Sequence, residues 1–112
     1  MLAVCACAAS GETHIFGAKP LRTKESDRLK TTALMLKALG ADICETEDGL
    51  IIRKSALKGG RIQAYNDHRI AMAAAVAACI CENEVVIDGA ESVSKSAPDF
   101  YIQLGLLGGK VI

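Results

Sequence analysis

The chain has 112 residues, with 13 Lys and Arg against 13 Asp and Glu and 51% apolar residues. That balance excludes a disordered chain and predicts a single soluble globular domain. It also excludes a global field that would draw the chain to nucleic acid or an anionic membrane surface, so any anion site must come from locally gathered Lys and Arg.

The longest apolar run, Ile70 to Cys81, is well short of the roughly 20 residues needed to cross a bilayer. Met1 to Ala9 is apolar but has no basic segment before it, so it does not read as a signal peptide, and a cytoplasmic location is expected. An odd number of cysteines scattered through apolar segments predicts small buried hydrophobes rather than a disulfide framework. Cys5 and Cys7, like Cys79 and Cys81, stand two apart in predicted helices. Side chains so spaced point to nearly opposite sides and cannot share an ion, so no metal is expected.

In chain order, alanine-rich Met1 to Ala9 reads as a helix that begins abruptly, without a cap, which suggests a truncated start. Thr13 to Phe16 reads as a short strand ended by Gly17, and Lys19 to Asp27 as a polar loop. Leu29, Ala33, Leu36 and Leu39 recur at helical spacing over Arg28 to Leu39, with Gly40 as the stop. Ala41 to Thr46 and Leu50 to Arg53 form a hairpin about Glu47-Asp48-Gly49. Lys58-Gly59-Gly60 turns the chain into a strand, Arg61 to Tyr65. His68 to Cys81 is apolar on every side, the pattern of a helix lying between other layers. Glu84 to Ile87 is a strand and Asp88 to Ser96 a loop. Pro98 to Leu107 is a helix with Pro98 in its first turn, and Lys110 to Ile112 a final strand.

The predicted order is α-β-α-β-β, then β-α-β-α-β, and the halves look like copies. Gly11 to Ala18 aligns without a gap with Asn83 to Ala90, sharing Glu, Ile, Gly and Ala at matched places. A period near 70 residues is too long for a solenoid unit and suggests a duplicated α/β unit. Residues 1–57 are then a first copy lacking its opening strand, and 58–112 a second. The missing strand leaves open edges, so the chain is expected to self-associate.

Three loops carry the unusual residues: Leu21 to Arg28, Tyr65 to Arg69, and Val93 to Pro98. Each leads into a predicted helix start, where free N–H groups and the helix dipole favour an anion. Lys24, Arg28, Arg69 and Lys95 oppose that dipole, and a phosphate or carboxylate ligand would give these exceptions one purpose. Each motif also has a structural reading. Lys24, Glu25, Asp27 and Arg28 suit a solvated first turn capped by Ser26 or Asp27, and His68 a structural hydrogen bonder.

The run Arg22-Thr23-Lys24-Glu25-Ser26-Asp27-Arg28 resembles the signature of the 5-enolpyruvylshikimate-3-phosphate synthases. Asn66-Asp67-His68-Arg69-Ile70-Ala71-Met72 and Lys95-Ser96-Ala97-Pro98 are similar to the family's other C-terminal motifs, in the same order. The resemblance covers nearly all of the chain but only the C-terminal part of the family protein. It implies an α/β fold, part of an inverted βαβαββ-repeat domain, that closes with a missing N-terminal domain on phosphoenolpyruvate and shikimate 3-phosphate without a cofactor. Arg28, Arg69 and Lys95 match the positions that hold phosphoenolpyruvate. Lys24 matches one that faces shikimate 3-phosphate near the reacting centre, Glu25 the proton shuttle and His68 a neighbour that tunes it.

Two departures stand beside the likeness. The family's aspartate at the attacking hydroxyl lies in a motif upstream of the helix begun by Met1, which implies that this chain alone is inactive. Pro20 replaces an asparagine that contacts shikimate 3-phosphate in some members. The UDP-N-acetylglucosamine enolpyruvyl transferases share fold and reaction type but lack the combined motifs and rank second. The rival from another class is a non-catalytic anion-binding or interaction module of the same fold.

Overall fold

The structure, a computed structural model, describes residues 1–112. Its elements are α1 (Leu2–Ala8), β1 (Glu12–Ile15), α2 (Arg28–Ala38), β2 (Asp42–Glu45), β3 (Leu50–Arg53), β4 (Gly60–Gln63), α3 (His68–Ala78), β5 (Val85–Asp88) and α4 (Phe100–Leu106). Two 3₁₀ helices, Lys19–Thr23 and Ala90–Lys95, follow β1 and β5. The strands form two sheets, an antiparallel one in the order β1-β3-β2 and a parallel pair, β4-β5.

α3 has the buried setting its composition predicts. Ile70, Ala71, Ala73, Ala74, Ala75 and Ala77 are buried and no residue from Ile70 to Ala78 is exposed. The alanines leave almost no side-chain bulk, so α1, α2, β5 and the second 3₁₀ helix can all pack against this one short helix. One cluster then joins Val4 and Cys7 of α1, Leu29 and Leu36 of α2, Ile52 of β3, Ile62 of β4 and Ile70 and Ala74 of α3.

The aligned stretches take the same local structure. β1 is followed by Gly17 (φ 70°) and β5 by Gly89 (φ 84°), and each glycine leads to a 3₁₀ helix. Both turns need the left-handed backbone that glycine adopts at no steric cost. In the second stretch β4 lies parallel to β5, whereas β1 pairs only with β3 and forms an edge of its sheet.

Several expectations are corrected. Lys19 to Asp27 and Asp88 to Ser96 are not plain loops, because each folds into a 3₁₀ helix too short to show a periodicity. Pro98 precedes α4, whose N-cap is Asp99, because Ala97 and Phe100 close turns on Val93 and Ala97 first. Lys110 to Ile112 form no strand. A strand exists by pairing, and the Gly109 amide turns back on the Leu104 carbonyl and leads the tail to no partner. Of the cysteines only Cys7 is buried, and Cys5, Cys44 and Cys79 are exposed. Cys5 points away from the face made by Ala3, Val4, Ala6 and Cys7, and Cys44 alternates with buried Ile43.

The hairpin turn is fastened to the chain beyond β1. The Ala18 amide donates to the Asp48 carbonyl at 2.7 Å and the Gly17 amide to Asp48 Oδ2 at 3.0 Å. Gly49 is required for this fit, since a Cβ there would lie 1.7 Å from the Ile15 carbonyl oxygen. Gly49→Ala is therefore expected to push β1 from the hairpin and lower stability by about 1–3 kcal/mol or more, read from the urea midpoint.

Candidate functional site

The 3₁₀ helix after β1 is held by Arg22. Its guanidinium donates to Asp27 Oδ2 (3.0 Å), Glu45 Oε2 (2.6 Å) and the carbonyls of Thr46 (2.6 Å) and Glu47 (2.9 Å). Asp27 in turn caps α2, accepting from the Lys30 amide at 3.2 Å. Arg22 thus ties the hairpin to the start of α2 and fixes the entry of the segment Lys24 to Arg28.

The start of α3 is set by a different device. Tyr65 and Asn66 both have left-handed backbones, φ 55° and 54°. Such a conformation is uncommon for asparagine and unusual for tyrosine, and it is held by its surroundings. It turns the next residue, Asp67, inward as the N-cap of α3, accepting from the Arg69 amide at 3.0 Å. Asp67 is fully buried and takes Arg28 Nε at 3.0 Å, Arg28 Nη2 at 3.3 Å and the Ser26 hydroxyl at 2.6 Å. Ser26 also bonds buried Thr31. The Arg28 side chain is 12% exposed, and its Nη2 also pairs with Glu25.

These contacts line up Lys24, Glu25, Arg28, His68 and Arg69 around one cleft of about 550 Å³. Lys95 is not in its wall. Its ammonium donates to the Asn66 carbonyl, which joins the third loop to the turn before Asp67. The idea of cations gathered at three helix starts is revised accordingly. Arg28 opens α2 and His68 and Arg69 open α3, but both starts are already capped by aspartates. Arg22 and Lys95 sit in the last turns of 3₁₀ helices, where a dipole welcomes positive charge.

The carboxylates of the cleft are held ionised. A hydrogen bond from its own backbone amide is the main reason the Glu25 carboxyl lies below the usual range. Burial opposes that effect and Arg28 reinforces it. The neighbouring cations are therefore a secondary cause. For Asp67, burial pushes upward, and the bonds from Arg28, Ser26 and the Arg69 amide more than offset it, so its carboxyl also lies below the ordinary value.

Glu25, Asp67 and His68 bring donor atoms within 4.8 Å of one another. The Arg28 guanidinium already bonds both carboxylates there and supplies the charge a cation would bring. His68 Nδ1 is buried and has no hydrogen-bond partner in the protein. A larger, open depression of about 1050 Å³ lies beside Lys58 and Arg61, where Lys58 pairs with Glu82 and Arg61 bidentately with Asp88.

The backbone defines a class through its likeness to solved structures. Two EPSP synthase structures from Acinetobacter baumannii match with TM-scores of 0.90 and 0.87, at 38% and 35% identity, over 97% and 99% of this chain and 26% and 27% of theirs. The chain is thus an α/β part of an enolpyruvyl-transferase-like domain. The family model described as EPSP synthase (3-phosphoshikimate 1-carboxyvinyltransferase) matches residues 1–104, and the chain belongs to that family. Curated relatives called 3-phosphoshikimate 1-carboxyvinyltransferase include those of Clostridium acetobutylicum, 53% identical over 99% of this chain, and Methanocaldococcus jannaschii, 43% identical over 98%. The chain spans about a quarter of the length of each, 26%.

Sequence reasoning passed over Asp67 and Ser26 as members of the site, although both lie in the quoted motifs. The available signal was an aspartate immediately before a helix, but a cap alone does not reveal that its second oxygen reaches another helix.

Glu12, Glu25, Asp27, Asp67 and Asp88 all lie below their ordinary values. A carboxyl so depressed contributes stability that is complete above its unfolded value, about 3.9 for aspartate, and is lost as pH falls through the lower native value. Urea unfolding followed from neutral pH to below about pH 3 should show this acid loss, and Asp67→Asn should flatten part of it. The same variant should cost about 3–5 kcal/mol at neutral pH, because it removes the buried partner of the Arg28 guanidinium and leaves only exposed Glu25 to balance it.

Proposed function

We propose that this chain forms one wall of a phosphoenolpyruvate site in a cytoplasmic enzyme that moves the enolpyruvyl group to the 5-hydroxyl of shikimate 3-phosphate and releases phosphate. The observation that carries this reading is the convergence of Lys24, Glu25, Arg28, His68 and Arg69, drawn from two separate motifs, on one cleft. Family membership and the names of the relatives support it. We assign the two domain copies to residues 1–57 and 58–112, consistent with the shared order of strand, left-handed glycine and 3₁₀ helix.

Phosphoenolpyruvate carries a carboxylate and a phosphate, which forked guanidinium groups bind in pairs of hydrogen bonds. We assign Arg28 and Arg69 to that task, and Lys95, bonded to the Asn66 carbonyl, to holding the turn before Asp67. Lys24, exposed at the cleft rim, faces the second substrate. The reaction delivers a proton to the methylene carbon as the 5-hydroxyl adds to the enol, and elimination of phosphate then takes a methyl proton back. Glu25 is the group for both transfers. It is ionised while paired with Arg28. An arriving anion that takes over Arg28 removes that pairing and adds negative charge, and both changes raise the carboxyl toward proton donation. His68, adjacent to Glu25, is the neighbour that tunes it.

A chimera tests this reading, with residues 1–112 replacing the matched quarter of the Clostridium acetobutylicum relative. Phosphate release from phosphoenolpyruvate and shikimate 3-phosphate should fall within about tenfold of the parent. In the chimera Glu25→Gln should lower kcat about 10²–10⁴-fold with little change in substrate binding. Arg28→Ala should raise the KM for phosphoenolpyruvate about ten- to hundredfold, the loss of a charge-assisted contact. Unchanged turnover in Glu25→Gln with both substrates bound would remove Glu25 from the proton-transfer role. The 112-residue chain alone should release no phosphate, since one wall cannot hold two reactants in attacking geometry.

We also propose that this chain self-associates. β1 presents an open strand edge, and Phe16 and Leu107 are 81% and 87% exposed. Such edges and patches pair between chains. Light scattering should show mass rising with concentration, and a strict monomer at high concentration would contradict it.

A further inference from the structure

We propose that Asp67 is the positioning residue of the anion site, one buried carboxylate that sets both the Arg28 guanidinium and the first turn of α3 that carries His68 and Arg69. The proposal rests on the phosphoenolpyruvate reading for what Arg28 is held ready to bind, and not for the holding itself.

Four hydrogen bonds fill the two oxygens of Asp67. Oδ2 accepts from Arg28 Nε (3.0 Å) and the Ser26 hydroxyl (2.6 Å), and Oδ1 from Arg28 Nη2 (3.3 Å) and the Arg69 amide (3.0 Å). Ser26 and Arg28, 41 and 39 residues before Asp67 in sequence, belong to the start of α2, and Arg69 to the start of α3, so one side chain pins two helix starts. The carboxylate occupies one edge of the guanidinium. Nη1 has no protein partner, and Nη2 is shared with exposed Glu25, which leaves the other edge for a ligand.

Stability alone does not call for this arrangement. A buried ion pair is costly to desolvate, and an apolar pair of similar volume commonly does as well. The turn that delivers Asp67 is itself strained, with left-handed Tyr65 and Asn66 in succession. What the pair provides is order. A free arginine loses rotamer freedom when it grips an anion, and one already clamped along one edge has lost that freedom beforehand. Asp67 contacts no substrate in this scheme and acts through Arg28 and Arg69.

The test uses the 112-residue chain, labelled with nitrogen-15, as wild type, Asp67→Asn and Ser26→Ala. In the wild type the Arg28 Nε–Hε group should be as rigid as the backbone, with an order parameter near ~0.85, and in Asp67→Asn it should fall below about 0.6. Phosphoenolpyruvate titrated into each should bind Asp67→Asn about tenfold more weakly or worse, although every cation of the cleft remains. Ser26→Ala, which keeps the ion pair and removes one neutral partner, should shift both readings the same way by a smaller amount, about two- to fivefold in affinity. It carries the test if Asp67→Asn does not fold. A residue that merely stabilises the fold would change the unfolding midpoint and leave both readings where they were.

The proposal is overturned if a folded variant keeps Arg28 as rigid as the wild type. It is equally overturned if Arg28 loosens while phosphoenolpyruvate affinity stays within about twofold. If the wild-type chain binds no phosphoenolpyruvate and Arg28 still loosens in Asp67→Asn, the ligand reading fails for this chain and the positioning of Arg28 stands.

Discussion

The arrangement of the site depends on a buried carboxylate held between the starts of two helices. Asp67 has no exposure to solvent, and its charge is tolerated because Arg28, Ser26 and the Arg69 amide together satisfy both of its oxygens. Its bonds to Arg28 and to the Arg69 amide are the hydrogen bonds that join the start of α2 to the start of α3. Packing between α2 and α3 brings the helices together, but apolar contact does not set where a guanidinium points.

Two further constraints support it from outside. Arg22 fastens the hairpin carbonyls and Glu45 to Asp27, so the segment from Lys24 to Arg28 leaves the 3₁₀ helix in one direction. Within the core, the alanines of α3 let four other elements approach it, which places the start of α3 against the start of α2. The cleft is thus the product of one polar clasp at the hairpin, one polar hub at Asp67 and a thin central helix. Its exposed cations, Lys24 and Arg69, stand on this rigid base, the usual way for a binding group to combine reach with precision.

Much of the fold was legible because the signals were local. Six alanines among eleven residues, with no polar face from Ile70 onward, announce a helix buried on all sides, and α3 is one. Glu47-Asp48-Gly49 between two apolar runs announces a hairpin, and β2 and β3 pair as expected. The errors share a cause as well. The two 3₁₀ helices look like loops in the sequence because five or six residues are too few for a period to emerge. A final strand at Lys110 to Ile112 and buried positions for Cys5, Cys44 and Cys79 were read from apolar character, which cannot say whether a partner is present or which way a side chain faces.

By itself, the sequence determined which candidate residues share a motif and on which local elements they lie. Lys24, Glu25, Arg28, His68 and Arg69 were named from motif and charge, because residue type and short spacing are properties of the chain alone. Tertiary structure decided what those residues do to one another. It gave Arg28 to Asp67 across 39 positions of sequence, assigned Arg22 to the hairpin, kept Lys95 behind Asn66 and left His68 Nδ1 without a protein partner. The physical reason is that hydrogen bonds and ion pairs act over a few ångströms in space, and distance along the chain carries no record of them until the core has packed.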